Sequence, residues 1–374
     1  MAKDVLIDQV VSILQKAGFD VSERCNIRPG SFDIAARCGD VLILCKVLLN
    51  IDGLTEDTAS EMRLLANWLS GTPLVIGAKT RDQMLEDNVI YMRYNIVSIN
   101  PETLYDYFVE GITSFISASP GGLYVSIDGT ALKEARLYND MSLGSLAGAV
   151  GVSRRTISKY EEEGMSASID VVLTLEEILN VELAKPIDIL NPSFLVKKNQ
   201  EKETKSEPKE KSKSAPKIRD LPAPVSPEAA EEYLRESKKK FESKDSNVHG
   251  HTHGHAHGHG NAPEQEMLSY ISTIGFDVKE TSQAPFKAIS KDKQSVILTG
   301  VSNYNPTVIK RARLLSSISD VIQTESVFLI NGTSKVKSVQ NTVFIEKNEL
   351  VKIHGPEELI EVIEERKAPE KTKK

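Results

Sequence analysis

Aromatic residues make up only 6% of this 374-residue chain, with a single tryptophan, and there are three cysteines and no excess of positive charge. Nowhere does an apolar run approach the roughly 18 residues that a membrane-spanning helix needs. The opening MAKDVLIDQVVSIL lacks the basic start and small-residue cleavage site of a secretion signal, so a cytoplasmic protein with no membrane partner is expected. Cys25, Cys38 and Cys45 show no CxxC spacing and lie in or beside apolar runs, which suits buried thiols in a reducing compartment. A net charge of −7 argues against a general coating of nucleic-acid contacts and leaves room for one local DNA-reading module.

What is present divides the chain. At about 100 to 200 residues per domain, two or three globular domains are expected. After Leu195 the sequence turns polar, charged and Pro-punctuated, ending in HGHTHGHAHGHG, and it cannot bury enough apolar area to offset its ordering entropy. Residues 196–262 therefore read as a disordered linker. Its alternating His249, His251, His253, His255, His257 and His259 could bind nickel, zinc or copper, which keeps a metal-responsive regulator as an alternative. In the folded parts no metal or cofactor site is expected.

The two ends resemble each other. LQKAGFDVSE at 14–23 matches ISTIGFDVKE at 271–280, RLLA at 63–66 matches RLLS at 313–316, and NVIYMRYNIVSINPETL at 88–104 matches NTVFIEKNELVKIHGPEEL at 341–359. Two related α/β domains, 1–120 and 263–365, are expected, the second followed by a charged tail at 366–374. In the first copy the periodicity predicts a helix at about 4–17, strands at 19–24, 31–37 and 41–49, a helix at 56–69, then strands at 73–78 and 89–99. Val41 to Leu44 form a continuous apolar run, as in a central strand covered on both faces.

That order resembles the restriction-endonuclease-like fold, whose site joins an acid on one strand to an acid-x-lysine triplet on the next. In SFDIAARCGDVLILCKV (31–47), Asp33 and Lys46 fit the pattern, but Leu44 stands where the second acid belongs. The corresponding run PFKAISKDKQSVILTGV (285–301) has Lys287 and Gly300 at the two positions. Hydrolysis of a phosphodiester on this plan needs a divalent ion held by several oxygen ligands, and one carboxylate is a poor site for it. A degenerate, non-enzymatic copy is expected, with a DNA-processing nuclease as the alternative.

Between the copies, residues 121–195 read as an all-α unit. Leu132, Ala135 and Arg136 fit a first helix, Ser142 can cap a second, Gly151 permits a tight turn, and a third helix starts at Ser153. Val150, Val152 and Ile157 can share a small core. The string LAGAVGVSRRTISKYEEEG (146–164) resembles the Cro-like helix-turn-helix class of phage repressors, which implies double-stranded DNA as partner and five helices, SIDVVLTLEEILNVELAKPIDIL supplying a further amphipathic helix and a short final one by about Pro192. By position that class implies that Ser153, Arg154, Arg155, Thr156, Ser158 and Lys159 face DNA, with the two arginines suited to guanine O6 and N7. Leu143 stands where many repressors carry a phosphate-contacting residue, and Glu161, Glu162 and Glu163 crowd the end of the reading helix. Weak single-module binding, remedied by a homodimer on two half-sites, is therefore expected. The whole layout, multidomain α/β plus all-α, resembles the archaeal family of HTH-type transcriptional regulators and implies sequence-specific regulation of transcription.

Overall fold

A computed structural model describes residues 2–26, 30–163, 165–191 and 262–367. Residues 192–261, which include the histidine tract, and residues 368–374 of the charged tail lie outside the described residues.

Apolar spacing on the first helix, α1 (Lys3–Lys16), puts Leu6, Ile7, Val10, Ile13 and Leu14 on one buried face. Strands β1 (Asp20–Val21), β2 (Ile34–Cys38) and β3 (Val41–Asn50) follow, then α2 (Glu56–Leu69), whose cap Thr55 accepts a hydrogen bond from Thr58 N. Next come β4 (Thr72–Lys79), β5 (Val89–Arg93), β6 (Ile96–Ile99) and α3 (Pro101–Tyr105). The single strand expected at 89–99 is a hairpin instead. Tyr94 and Asn95 both take positive φ, 47° and 60°, and reverse the chain so that Met92 pairs with Val97. Such paired left-handed residues form the two-residue turn that matches strand twist.

β3 alternates between two cores. Ile43, Cys45 and Val47 pack against α1, whereas Leu42 and Leu44 pack on the opposite face. Both faces are covered, which is why its sequence is continuously apolar rather than alternating.

The helical segment comprises α4 (Gly129–Tyr138), α5 (Leu143–Val150), α6 (Arg154–Glu163) and α7 (Ile169–Leu179). It is tied to the first sheet by β7 (Ile116–Ser119), β8 (Gly122–Ser126) and β9 (Ser166–Ser168), giving the strand order β1-β2-β3-β4-β6-β5-β7-β8-β9. The short final helix expected by about Pro192 does not form over AKPIDIL. Lys185 N donates to Ser126 O and Ile187 N to Ser114 O, at 2.8 and 2.7 Å, and Pro186 has no N–H to offer a helix. The segment is extended because the sheet supplies its hydrogen bonds.

The C-terminal part holds α8 (Ala262–Thr273), β10 (Asp277–Glu280), β11 (Ala288–Lys291), β12 (Val296–Ser302), α9 (Pro306–Ile322), β13 (Glu325–Ile330), β14 (Ser338–Val339), β15 (Thr342–Glu346), α10 (Lys347–Leu350) and α11 (Pro356–Arg366). Its order β10-β11-β12-β13-β15-β14 repeats β1-β2-β3-β4-β6-β5, with the same sequence of antiparallel and parallel pairings. One shared core joins the two sheets, and corresponding residues meet in it: Phe32 and Phe286, Leu44 and Leu298, Leu65 and Leu315. Polar contacts cross the same seam. Glu61 accepts from Ser282 N and Gln283 N, both at 2.8 Å, and Arg37 donates to Val321 O and Ile322 O, both at 2.9 Å.

Candidate functional site

Two places merit scrutiny: the β2–β3 hairpin and the helix-turn-helix. In the hairpin, the pairing of Ile34 with Cys45 brings Asp33 and Lys46 side by side. Asp33 is buried, and both of its oxygens are engaged. Oδ1 accepts from Lys3 Nζ at 2.8 Å, and Oδ2 accepts from Val47 N at 2.8 Å with Lys46 Nζ 3.7 Å away. Lys46 also donates to Gly30 O. Burial draws the Lys46 ammonium below the usual lysine range, with the Asp33 carboxylate opposing that shift. One carboxylate thus faces two ammonium groups. Leu44, at the position of the missing acid, is fully buried among apolar side chains.

A divalent ion does not fit this donor set. Hard cations are held by several oxygens, and here a lone carboxylate is already matched by Lys3, a partner thirty residues away that the hairpin motif does not reveal. Among the described residues no group of three or more His, Cys, Asp or Glu is placed to hold a metal. In the C-terminal sheet, Lys287 stands at the position of Asp33 and pairs with Glu264 at 3.2 Å. Gly300 stands at the position of Lys46, and a Cβ there would come within 2.5 Å of the Phe328 ring. That ring fills the place where a lysine would have to extend.

Cys25 and Cys45 are buried, and burial, reinforced by Asp33, pushes both thiols up, Cys45 to about 12. Cys38 departs from expectation: it ends β2 beside the Gly39–Asp40 turn and is exposed.

In the helical segment, Ser142 caps α5 by accepting from Ser145 N at 3.0 Å, and Gly151 ends it at φ +76°. Ser153 proves to be the cap of α6 rather than its first helical residue. Its hydroxyl accepts from Thr156 N at 3.1 Å and pairs with Thr156 Oγ1 at 2.8 Å. Ile157 and Tyr160 are buried, and Val150 and Val152 pack around them, so the core face of α6 is settled. Arg154 and Arg155 are exposed on the first turn, while Thr156, Ser158 and Lys159 are half-buried. Ser158 Oγ donates to Glu162 Oε1 at 2.9 Å, which occupies it within the helix.

The acidic crowding at the end of α6 is less than the sequence suggests. The Glu161 side chain is turned inward, not displayed: Arg136 grips it with Nε at 2.6 Å and Nη2 at 3.0 Å and gives its third hydrogen bond to Met141 O at 2.8 Å. The hydrogen-bonded Glu161 carboxylate raises the Arg136 pKa further. This fork ties α4 to α6 and fixes the angle at which α6 is presented. Two charges 25 residues apart carry no local signal of such a pair. Leu143 is half-buried against the same core, which explains an apolar residue at that position.

Comparison with known proteins agrees with this division. A PD-(D/E)XK superfamily domain matches residues 3–114, and a helix-turn-helix domain matches residues 132–185. The chain thus joins a nuclease-like α/β domain to a helix-turn-helix domain. It is 55% identical to a protein of Methanosarcina mazei and 54% identical to one of Methanosarcina barkeri, each over 98% of both chains. A protein of Natronomonas pharaonis is 40% identical over 98% of this chain and 99% of its own. All three carry the name "Putative HTH-type transcriptional regulatory protein". The chain belongs to this archaeal family of helix-turn-helix regulatory proteins. Among the described residues no helix is long and apolar enough to cross a membrane.

Proposed function

We infer that the protein is a sequence-specific DNA-binding transcription regulator that reads the major groove with α6 and is not an enzyme. The observation that carries this reading is the exposure of Arg154 and Arg155 on the first turn of a helix whose start, core face and tilt are all held: by the Ser153 cap, by Ile157 and Tyr160, and by the Arg136–Glu161 fork. N-terminal residues of a reading helix are the ones that reach base edges. Ser153, Thr156 and Lys159 then serve as positioning contacts to the backbone, and Ser158 joins them when its hydroxyl turns from Glu162 to DNA. Its domains are the nuclease-like α/β unit at 1–120, the reader at 121–195, the linker at 196–262 and an α/β repeat at 263–365. The histidine tract on which a metal-responsive reading would rest lies outside the described residues.

Arg154→Ala and Arg155→Ala are each expected to weaken binding to a selected operator by about 1 to 3 kcal/mol and to relax sequence preference. Electrophoretic shift assays would measure this. Unchanged affinity and preference in both variants, with the helical content intact, would reject α6 as the reader.

A single module contacts few phosphates, so its affinity and salt dependence are modest. Two modules related by a two-fold axis would reach half-sites about 34 to 36 Å apart on one DNA face. The full-length protein is therefore expected to be a homodimer by light scattering at micromolar concentration and to protect a pseudo-palindrome. A monomer that stays monomeric on its operator would leave one module reading an asymmetric site.

A further inference from the structure

The seam between the two α/β repeats is symmetrical in plan, and one contact across it is made by a cation on one side alone. In the N-terminal repeat Arg37 is paired with Asp20 across β1 and β2, and in the C-terminal repeat the register places Lys291 opposite Asp277 in the same way. Arg37 and Lys291 are therefore counterparts. Arg37 crosses the seam to the end of α9, where its guanidinium takes the last free carbonyls, Val321 O and Ile322 O. The reciprocal contact, Lys291 to the end of α2, is not made.

Helix length explains the difference. The caps Thr55 and Asn305 and the buried residues Met62 and Ala312, Leu65 and Leu315 align the two helices from their N-termini. From there α9 runs for 17 residues and α2 for 14. At 1.5 Å per residue, α2 stops about 4.5 Å short, nearly one turn. Beside the end of α2 lies a cleft of about 710 Å³. The only tryptophan of the chain, Trp68, lines it from the end of α2, and Asp277, Lys291, Asp292, Lys293 and Glu357 line it from the other repeat.

This cleft has the volume of a small-molecule site, and its lining is mostly polar and charged, which suits a charged ligand. At the end of α2, Ala66 O is taken by Ser70 N and Gly71 N, but no side-chain donor among the described residues reaches Asn67, Trp68 or Leu69 O. Terminal carbonyls of a helix require donors, and on the other side of the seam a guanidinium supplies them. An indole face adds attraction for a cation, and the lining carboxylates outnumber the ammonium groups. Lys291 and Lys293 offer partners to a carboxylate.

We propose that this cleft binds a basic amino acid, whose cationic head occupies the place of the missing Arg37-like contact beside Trp68 and whose carboxylate meets the lysines. The site is independent of the DNA-reading helix.

Because Trp68 is the only tryptophan, its fluorescence reports on the cleft directly. Full-length protein is titrated with L-arginine, with L-citrulline as the near-isosteric neutral control, and the titration is repeated on Asp277→Asn, an exposed strand position. The expected result is a saturable change with arginine at millimolar concentration or below, none with citrulline, and binding about tenfold weaker in the variant. No saturable change with arginine, an equal response to citrulline, or an unaffected Asp277→Asn would each overturn the assignment. A calorimetric titration of Trp68→Leu with arginine provides a second reading: loss of the binding heat is expected, and retention of full affinity would reject the indole contact.

Discussion

Asp33→Ala is expected to destabilise the protein by about 3 to 5 kcal/mol and to change no nuclease activity. Removing one member of a buried charge pair leaves the other uncompensated, and that is the costly case. Asp33 answers two ammonium groups. Lys46 is largely buried and cannot turn to solvent, while Lys3, about a third exposed, can. The substitution also strips Val47 N of its acceptor in the middle of the sheet. Urea denaturation of wild type and variant would measure the loss. A catalytic aspartate would behave in the opposite way, because a carboxylate awaiting a metal is a local electrostatic burden. Its removal would cost little, and millimolar magnesium or manganese would raise the wild-type melting temperature by binding the native state alone. No such rise is expected here, nor any cleavage of DNA with either ion. Cleavage that disappears in Asp33→Ala would restore the nuclease.

The second large effect is expected from Glu161→Ala, at about 3 kcal/mol or more within the helical segment. Arg136 and Glu161 are both nearly inaccessible in their side chains, and they meet in a two-point fork, with Nη1 of Arg136 donating to Met141 O. Truncation of the acid leaves a guanidinium buried without its counter-charge. Replacing the pair together, Arg136→Met with Glu161→Leu, is expected to recover most of the loss, since an apolar pair of similar volume carries no desolvation cost. Hydrogen exchange over α4 and α6 would localise the change. A single-variant loss below about 1 kcal/mol would show that the pair behaves as an exposed one. Loss of DNA binding should accompany the single variant and return in the double, because the fork acts by orienting α6.

Features set by neighbours in the chain were legible beforehand. Ser142, Gly151 and Ser153 act within four residues of themselves, so the boundaries of α5 and α6 follow from local chemistry. The 56–69 helix and the core-facing Ile157 were equally readable, because helical periodicity and an N-cap are short-range signals. Even the loss of the second acid at Leu44 is visible as a letter.

What the tertiary structure decided lies in contacts between distant segments. Lys3 sits on Asp33 from a different element, and Arg136 neutralises one of the acids that in the sequence crowd the end of the reading helix. The AKPIDIL segment is extended because the carbonyls of Ser114 and Ser126 accept its hydrogen bonds. The seam between the repeats could not be foreseen either. A three-residue difference in helix length means nothing in the sequence until the two repeats are packed through a shared core, and then it decides that Arg37 has carbonyls to bind while Lys291 faces a cleft. Charges and polar groups acquire their roles from whichever partner burial brings to them, and that partner is chosen by the packing of the whole chain.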